Sequence, residues 1–170
     1  MQTLFENKNS GAVFSPCNKH RYQLWRIWDE SKPNVLFIML NPSTADTTED
    51  DPTIRRCIGF TKSWGYGGLM VGNLFSYRST DPKNLKLNQD EVLDRKHADI
   101  NNRHILKMWW KCDLTVCAWG NPPIETKSIF PLEGMKQLHY LELTKCGNPK
   151  HPLYLRKDLK PTPYEIKRYL

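Results

Sequence analysis

Apolar positions along the chain form a series of short runs separated by polar turns. Residues 35–40 are an unbroken apolar run rich in branched and aromatic side chains, which is typical of a strand buried on both faces of a parallel sheet. Three later runs, at 67–75, 114–119 and 138–143, have a similar character. The alternating, aromatic segment 20–30 predicts one more strand ahead of the first apolar run.

Two segments carry the spacing of an α-helix. Asp51 followed by Pro52 is a helix-start signal, apolar residues then recur at three- and four-residue intervals, and Gly65 is placed to end the helix. Residues 90–111 are amphipathic, with apolar side chains on one side and charges on the other. A shorter helix is predicted near 128–137.

The order of these elements indicates an α/β protein. We predict a three-layer αβα sandwich with a central, mostly parallel sheet of about four strands. A length of 170 residues suits one domain with a substantial core. Residues 1–19 have turn formers and no sustained period, so we expect a partly ordered N-terminal arm followed by a single α/β domain over 20–170.

Composition narrows the class of protein. Hydrophobic residues make up 39% of the chain and charged residues 25%, as in ordinary globular domains. No apolar run approaches the roughly 18 to 20 residues of a membrane helix, and the start of the chain lacks a signal-peptide pattern. We therefore expect a cytoplasmic protein without membrane contact. The net charge of +7 favours DNA as a partner without proving it, and no obligate protein partner is predicted.

Common cofactor and hydrolase motifs do not occur in the sequence. It has no dinucleotide or phosphate-binding glycine loop, no serine-hydrolase elbow and no zinc-hydrolase motif. The five cysteines include no Cys-x-x-Cys pair, and Cys57, Cys112 and Cys117 lie in or beside apolar segments where buried thiols are expected. We predict neither a cofactor nor a metal.

Each predicted core strand ends in a polar turn. The four turns contain Asn41-Pro42, Asn73 with the residues up to Arg78, Gly120-Asn121, and the segment 148–152. An Asn-Pro pair alone usually indicates only a turn. Because the carboxyl ends of parallel strands meet at one edge of a sheet, where open α/β sheets bind their ligands, the repetition predicts a functional site there.

Four of the motifs together identify a family resemblance. Residues 40–46 (LNPSTAD), 51–57 (DPTIRRC), 64–69 (WGYGGL) and 151–155 (HPLYL) resemble a bacterial and phage domain family of unknown function. More distantly, the order of strands and loops resembles the uracil-DNA glycosylase superfamily. The first-strand motif here lacks the leading glycine of that superfamily, Ser43 stands where a glycine is common, and the late His-Pro lacks the Ser-Pro that often follows it.

The glycosylase resemblance implies roles for three catalytic candidates. Asn41 would position the water that attacks the sugar, and His151 would donate a hydrogen bond to the departing base as a neutral imidazole. Asp46 would stabilise the cationic sugar or, equally, cap its own loop. For His151 the alternative is a turn histidine with one backbone hydrogen bond.

The remaining candidates fall into three groups. The first group would bind the base and consists of Asn73, Phe75, Tyr77, Ser43 and Tyr66. The amide of Asn73 would pair with the edge of a flipped base; the alternative is an asparagine that caps a turn. The second group would bind the phosphates of the DNA backbone and consists of Arg78, Lys150, Arg156 and Lys157. The alternative is that these are ordinary solvent-exposed surface residues. Candidates for insertion into the base stack are Leu153 and Tyr154.

The resemblance therefore implies a monofunctional DNA glycosylase that leaves an abasic site. Uracil enzymes place a bulky aromatic residue near the water motif to exclude thymine, whereas this chain has Ser43, Thr44 and Ala45. We expect a roomier pocket for a bulky or hypermodified pyrimidine, with defence against phage as the setting. The alternatives are a non-catalytic DNA-binding module of the same fold, or a hydrolase or transferase of free nucleosides or nucleotides.

Overall fold

A single mixed sheet organises the computed structural model, which describes residues 9–124, 132–135 and 137–166. Its seven strands have the order β1-β2-β4-β3-β5-β6-β7. The strands are β1 Ser10–Phe14, β2 Arg21–Ile27, β3 Asn34–Met39, β4 Gly68–Asn73, β5 Leu114–Cys117, β6 Leu138–Tyr140 and β7 Thr162–Pro163. The prediction of about four strands was therefore too low.

Four of the strands are parallel and form the centre of the sheet. β3 pairs in parallel with β4 on one side and β5 on the other, and β6 continues the parallel set beyond β5. These four correspond to the four apolar runs of the sequence. The extra strands are antiparallel: β2 lies beside β4 and carries β1, while β7 closes the other edge. The three-layer glycosylase-like arrangement remains a prediction.

The first helix confirms the start and end signals predicted at Asp51 and Gly65, whereas the segment predicted as one helix near 90–111 forms two. They are α1 Pro52–Ser63, α2 Lys83–Leu87, α3 Gln89–Val92 and α4 Arg95–Trp109, with 3₁₀ turns at Leu132–Gly134 and Pro152–Tyr154. The Asp51 side chain accepts a hydrogen bond from the Ile54 amide, and Gly65 has a φ of +84°, a value that glycine adopts without strain. Of the short helix predicted near 128–137, residues 128–131 and 136 lie outside the described residues, and the described part contains the 3₁₀ turn Leu132–Gly134.

The core divides between the two faces of the sheet. Val35, Phe37 and Met39 belong to one buried cluster with α1, while Leu36 and Ile38 belong to another with α4. This alternation follows from the two-residue period of a strand. Within the described part of the chain, no helix combines the length and apolar character needed to cross a membrane.

An irregularity in β2 decides which side chains face α1. Val13 pairs with Gln23 and Phe14 with Arg21, so Tyr22 is an extra residue opposite β1. A β-bulge of this kind shifts the alternation of side chains. Tyr22 and Gln23 both contact α4, and Arg21 returns to the α1 face, the same face as Arg26.

Candidate functional site

The polar turns that follow the parallel strands meet at one edge of the sheet, here called the carboxyl rim. The Phe75 amide donates to the Leu40 carbonyl, which joins the turns after β4 and β3. The Gly120 amide donates to the Pro149 carbonyl at 2.7 Å, which joins the turn after β5 to the segment carrying His151. Gly120 has a φ of +70°, and a Cβ placed there would lie 4.0 Å from the Cβ of His151.

The order of connection reverses at β3, between the crossover to β4 and the crossover to β5. The chain passes from β3 through α1 to β4 on one side of β3, and then returns through α2 to α4 to β5 on its other side. In open α/β sheets, a reversal of this kind separates the loops at the carboxyl ends of the two strands and commonly forms the ligand site. The turns containing Asn41 and Gly120 flank this point.

Asn41 is held in one orientation by the backbone. Its side-chain nitrogen Nδ2 donates to the Pro42 carbonyl at 3.1 Å and to the Ser79 carbonyl at 2.9 Å. With both amide hydrogens directed at carbonyls, the acceptor atom Oδ1 is the part of the amide left to interact with a ligand or water. The half-buried side chain is therefore preorganised as a hydrogen-bond acceptor.

His151 precedes the 3₁₀ turn Pro152–Tyr154. Its Nδ1 accepts a hydrogen bond from the Leu153 amide at 3.4 Å, so the neutral ring carries its proton on Nε2. The residue is exposed, yet crowding by the surrounding protein lowers the pKa of the imidazole, with the Asp51 charge opposing that shift. The ring is thus neutral at pH 7, with an N–H donor on Nε2.

Asn73 is the last residue of β4 and is buried, with 2% of its surface exposed. Its Oδ1 accepts a long, 3.5 Å hydrogen bond from Nη2 of Arg21, while its buried Nδ2 has no partner. Buried donors without partners are costly and are uncommon in folded proteins. Asn73 thus lies at the rim with one donor unsatisfied, but beneath the turn after β3.

Arg21 covers Asn73 and was not predicted as a site residue. It is also 2% exposed, donates from Nη1 to the Ala45 carbonyl at 2.8 Å, and has a buried Nε without a partner. Burial lowers the pKa of its guanidinium to about 10, with Asp51 opposing the shift and Arg78 and Arg26 adding to it. Only the bulge in β2 turns this side chain toward the rim, and a bulge leaves little signal in one sequence.

Asp46 caps its own loop. Its Oδ1 accepts hydrogen bonds from the backbone amides of Thr48 and Glu49, at 2.9 and 2.8 Å. These two bonds are the main reason that the pKa of the carboxyl is lowered. Of the two roles predicted for Asp46, this geometry favours the loop cap over stabilisation of a cationic sugar, because one oxygen accepts both backbone hydrogen bonds.

The predicted base-binding residues do not share one face. Phe75 and Tyr77 pack against the core cluster on the α4 side, whereas Asn73 faces Arg21 on the α1 side. Tyr66 precedes β4, and its amide donates a hydrogen bond to the Thr61 carbonyl. It therefore lies at the end of β4 opposite Asn73, and the six residues of the strand separate the two by about 20 Å. The prediction that Tyr66 lines the pocket is corrected. Ser43 is half-buried in the turn after β3.

Most predicted phosphate-binding side chains are already engaged. Arg78 donates to the Asn18 carbonyl and lies over the Phe14 ring at 4.7 Å, where it holds β1 against the domain. Lys150 pairs with Glu142, and Arg156 pairs with Asp158. Exposed pairs of this kind are weak and can exchange for phosphate. Lys157 is exposed.

The two candidates for insertion differ in exposure. Leu153 is half-buried, whereas Tyr154 leaves 92% of its surface exposed. Arg56 on α1 donates to the Leu155 carbonyl, which fixes the turn to a helix. Tyr154 is therefore an exposed aromatic side chain on an anchored turn, three residues after His151.

The described residues contain no group of three or more metal-binding side chains suited to hold an ion. Cys57 and Cys117 are buried, and burial raises the pKa of both thiols. Cys112 is half-buried, and burial raises the pKa of its thiol to about 12. None of these three thiols is a reactive group at neutral pH.

These features define an α/β domain with a polar, amide- and imidazole-bearing rim at a reversal of strand order. Residues 21–153 match a family model described as "Protein of unknown function (DUF1643)". Because the match covers most of the chain, the protein belongs to this family. Searches of curated proteins and of solved structures returned no significant match.

Proposed function

We propose that the protein is a DNA glycosylase that hydrolyses the N-glycosidic bond of a flipped, modified pyrimidine and leaves an abasic site. The observation that supports the proposal is that two turns of the carboxyl rim carry a fixed amide acceptor, on Asn41, and a neutral imidazole donor, on His151. Cleavage of a base–sugar bond needs these two groups, because positive charge develops on the sugar and negative charge on the base.

Asn41 would hold the attacking water. In hydrolysis, the water oxygen bonds to C1′ of the sugar, the bond from C1′ to the base nitrogen breaks, and the base leaves with that electron pair. A cationic sugar needs a positioned water more than a strong base, and an amide locked by two carbonyls supplies a position. The water loses its proton to solvent as the new C1′–O bond forms.

His151 would stabilise the departing base. Its Nε2–H donates a hydrogen bond to the oxygen on which negative charge develops, and the Leu153 amide keeps the ring in this tautomer. A neutral donor suits this role, because its proton stays available throughout the pH range above the lowered pKa.

Asn73 and Arg21 would bind the edge of the base. Together they offer the unpartnered donors Nδ2 and Nε, which carbonyl or ring-nitrogen acceptors of a pyrimidine would satisfy. Both atoms are buried, so entry of a base requires the turn at 43–46 to move away from Arg21. The only direct bond between Arg21 and that turn is the one to the Ala45 carbonyl.

Tyr154 would fill the gap left in the DNA stack. Flipping a nucleotide costs a few kcal/mol, and an aromatic wedge offsets part of that cost. The exposure of 92% suits this role, while Ser43 and Thr44 leave room for a bulky substituent on the base. The resemblance to uracil-DNA glycosylases supports the same roles, and defence against phage with modified DNA is the setting we propose.

The test is incubation of the protein with a panel of unmodified and hypermodified genomic DNAs, scored for alkali-labile strand breaks. We expect breaks in at least one modified DNA, and a loss of at least about 100-fold in Asn41→Ala and in His151→Ala, the scale of removing one transition-state contact. Asn41→Asp is a closer control for Asn41, because it keeps the acceptor but loses both anchoring hydrogens.

The outcome separates the proposal from its alternatives. DNA binding that weakens with salt, without breaks in any DNA of the panel, would favour a non-catalytic binding module. Release of bases from free nucleosides, with no activity on polymer, would favour a nucleoside hydrolase. Equal activity in Asn41→Ala and the unaltered protein would remove Asn41 from the mechanism.

A further inference from the structure

A concave surface lies on the α4 face of the sheet and extends to the end opposite the carboxyl rim. It is a groove of about 830 Å³, within the usual size range of ligand sites. We call it the tryptophan–lysine groove. Its lining, from β2, β3, β4 and the last turns of α4, includes Trp25, Met70, Lys107, Met108, Trp110 and Lys111.

The floor of the groove is apolar and one wall is aromatic. Met108 is buried and Trp25 and Met70 are half-buried. Trp110, just after α4, leaves 79% of its surface exposed, and its ring lies beside that of Trp109, with the centroids 4.9 Å apart. An exposed indole beside an apolar floor is a surface on which a planar aromatic ligand can stack.

The groove is lined by three lysines and one carboxylate, that of Glu30, so its charge is positive on balance. Lys107 lies in the last turn of α4 and Lys111 lies two residues after the helix ends; both line the groove, and both are exposed. Lys32 also lines the groove and forms an exposed pair with Asp29 at 3.1 Å. Lysines at a helix end also complement its dipole, but the dipole does not account for the exposed Trp110 between them.

We propose that the tryptophan–lysine groove binds an unpaired segment of nucleic acid. Bases would stack on Trp110 while Lys107 and Lys111 contact the phosphates, since an aromatic platform within a basic groove is the usual arrangement for single strands. The basic edge favours a polyanion, and the indole favours one with planar rings. This proposal does not depend on the chemistry proposed for the rim.

The test measures binding of a fluorescently labelled oligothymidylate by anisotropy. Stacking of one base contributes about 1 to 3 kcal/mol, so we expect Trp110→Ala to weaken binding about tenfold. Lys107→Glu/Lys111→Glu should weaken it at least as much. It should also reduce the salt slope by about 1.4, because each phosphate contact on a single strand contributes about 0.7.

Lys83→Glu/Lys96→Glu is the matched control, because it changes the net charge equally at two exposed positions that do not line the groove. The control should retain most of the affinity. Unchanged binding in Trp110→Ala, or equal loss in the control, would overturn the proposal. Displacement of the oligonucleotide by polyglutamate at equal charge would instead indicate an acidic protein partner.

Discussion

The two ends of strand β2 each bury an arginine on the same face of the sheet, with opposite degrees of pairing. Arg26 makes five hydrogen bonds, to the Asp50 carboxylate and to the carbonyls of Gly11, Trp25, Asp46 and Glu49. Arg21 makes one good bond, to Ala45, and one long bond, to Asn73, and leaves its Nε without a partner. Both hold the loop that follows β3.

The two ends of β2 differ in how far the chain itself satisfies the donors of a buried guanidinium. A buried guanidinium repays its lost hydration only when its donors are satisfied. The Arg26 end satisfies them from within the chain, so it needs no further partner. The Arg21 end leaves two donors unsatisfied, its own Nε and Nδ2 of Asn73, and a ligand with acceptor atoms would complete it. Nε of Arg56 and Nε of Arg78 are also buried without a partner, so what sets the Arg21 end apart is that two such donors lie side by side.

The largest effect on stability is expected from a substitution of Arg26, the arginine whose donors are all paired. Arg26→Met removes five hydrogen bonds and leaves Asp50, with 25% of its side chain exposed, without its cation. We expect the free energy of unfolding to fall by about 4 kcal/mol, measured by urea denaturation. Arg21→Met is the matched variant, and it should cost less than about 1.5 kcal/mol. Equal losses in the two variants would end the distinction between the two arginines.

The second effect concerns activity. If Arg21 binds the base, Arg21→Met should reduce abasic-site formation about 100-fold, equivalent to about 2.7 kcal/mol, in a protein that remains folded. Arg21→Lys keeps the charge but loses the planar donors, and it should recover little of the activity. Full activity in Arg21→Met would show that the unpaired donors serve the fold alone.

The elements of the sheet were largely predictable, because burial on both faces leaves unbroken apolar runs. The run at 35–40 became β3, and the signals at Asp51 and Gly65 bounded α1. The edge strand β1 was not predicted, because its residues show no sustained apolar period. Its place in the sheet depends on pairing with β2 and on Arg78 packing over Phe14.

The candidate site was only partly predictable. Parallel strands bring their carboxyl ends together, so the grouping of the turns with Asn41, Asn73 and His151 followed from the pattern. Which side chains face each other did not, because that depends on the bulge at Tyr22, which brings Arg21 to the rim. Tyr66 was misplaced because glycines around an aromatic residue indicate a turn but not the end of the sheet at which it lies.

The third prediction uses pH to distinguish the two ends of β2. His20, next to Arg21, is 3% exposed, and its ring stacks on His97 with centroids 3.7 Å apart. Burial lowers the pKa of His20 to about 4, with the His97 charge adding to the shift and Asp94 and Glu91 opposing it. Between pH 6.5 and 4 the unfolded state therefore binds more protons, so stability falls as the pH falls.

We expect a loss of about 2 kcal/mol between pH 7 and about pH 4.5 from this group, measured by urea denaturation across the range. His20→Gln should flatten the curve by that amount. Arg26→Met, which alters the other end of β2, should keep the slope of the unaltered protein while lowering the whole curve. An unchanged slope in His20→Gln would show that other groups cause the acid sensitivity.

The smallest effect is expected at Asp46, in the loop that both arginines hold. Asp46→Asn keeps the side-chain oxygen that accepts from Thr48 and Glu49 and removes only the charge. If the residue is a cap, stability should fall by less than about 1 kcal/mol, and abasic-site formation should stay within about threefold. Asp46→Ala, which removes the cap as well, should cost about 1 kcal/mol more. A large loss of activity in Asp46→Asn with stability retained would instead assign the carboxylate to the cationic sugar. The loop after β3 would then take part in the reaction, as is proposed for Arg21, and would not serve the fold alone, as Arg26 does.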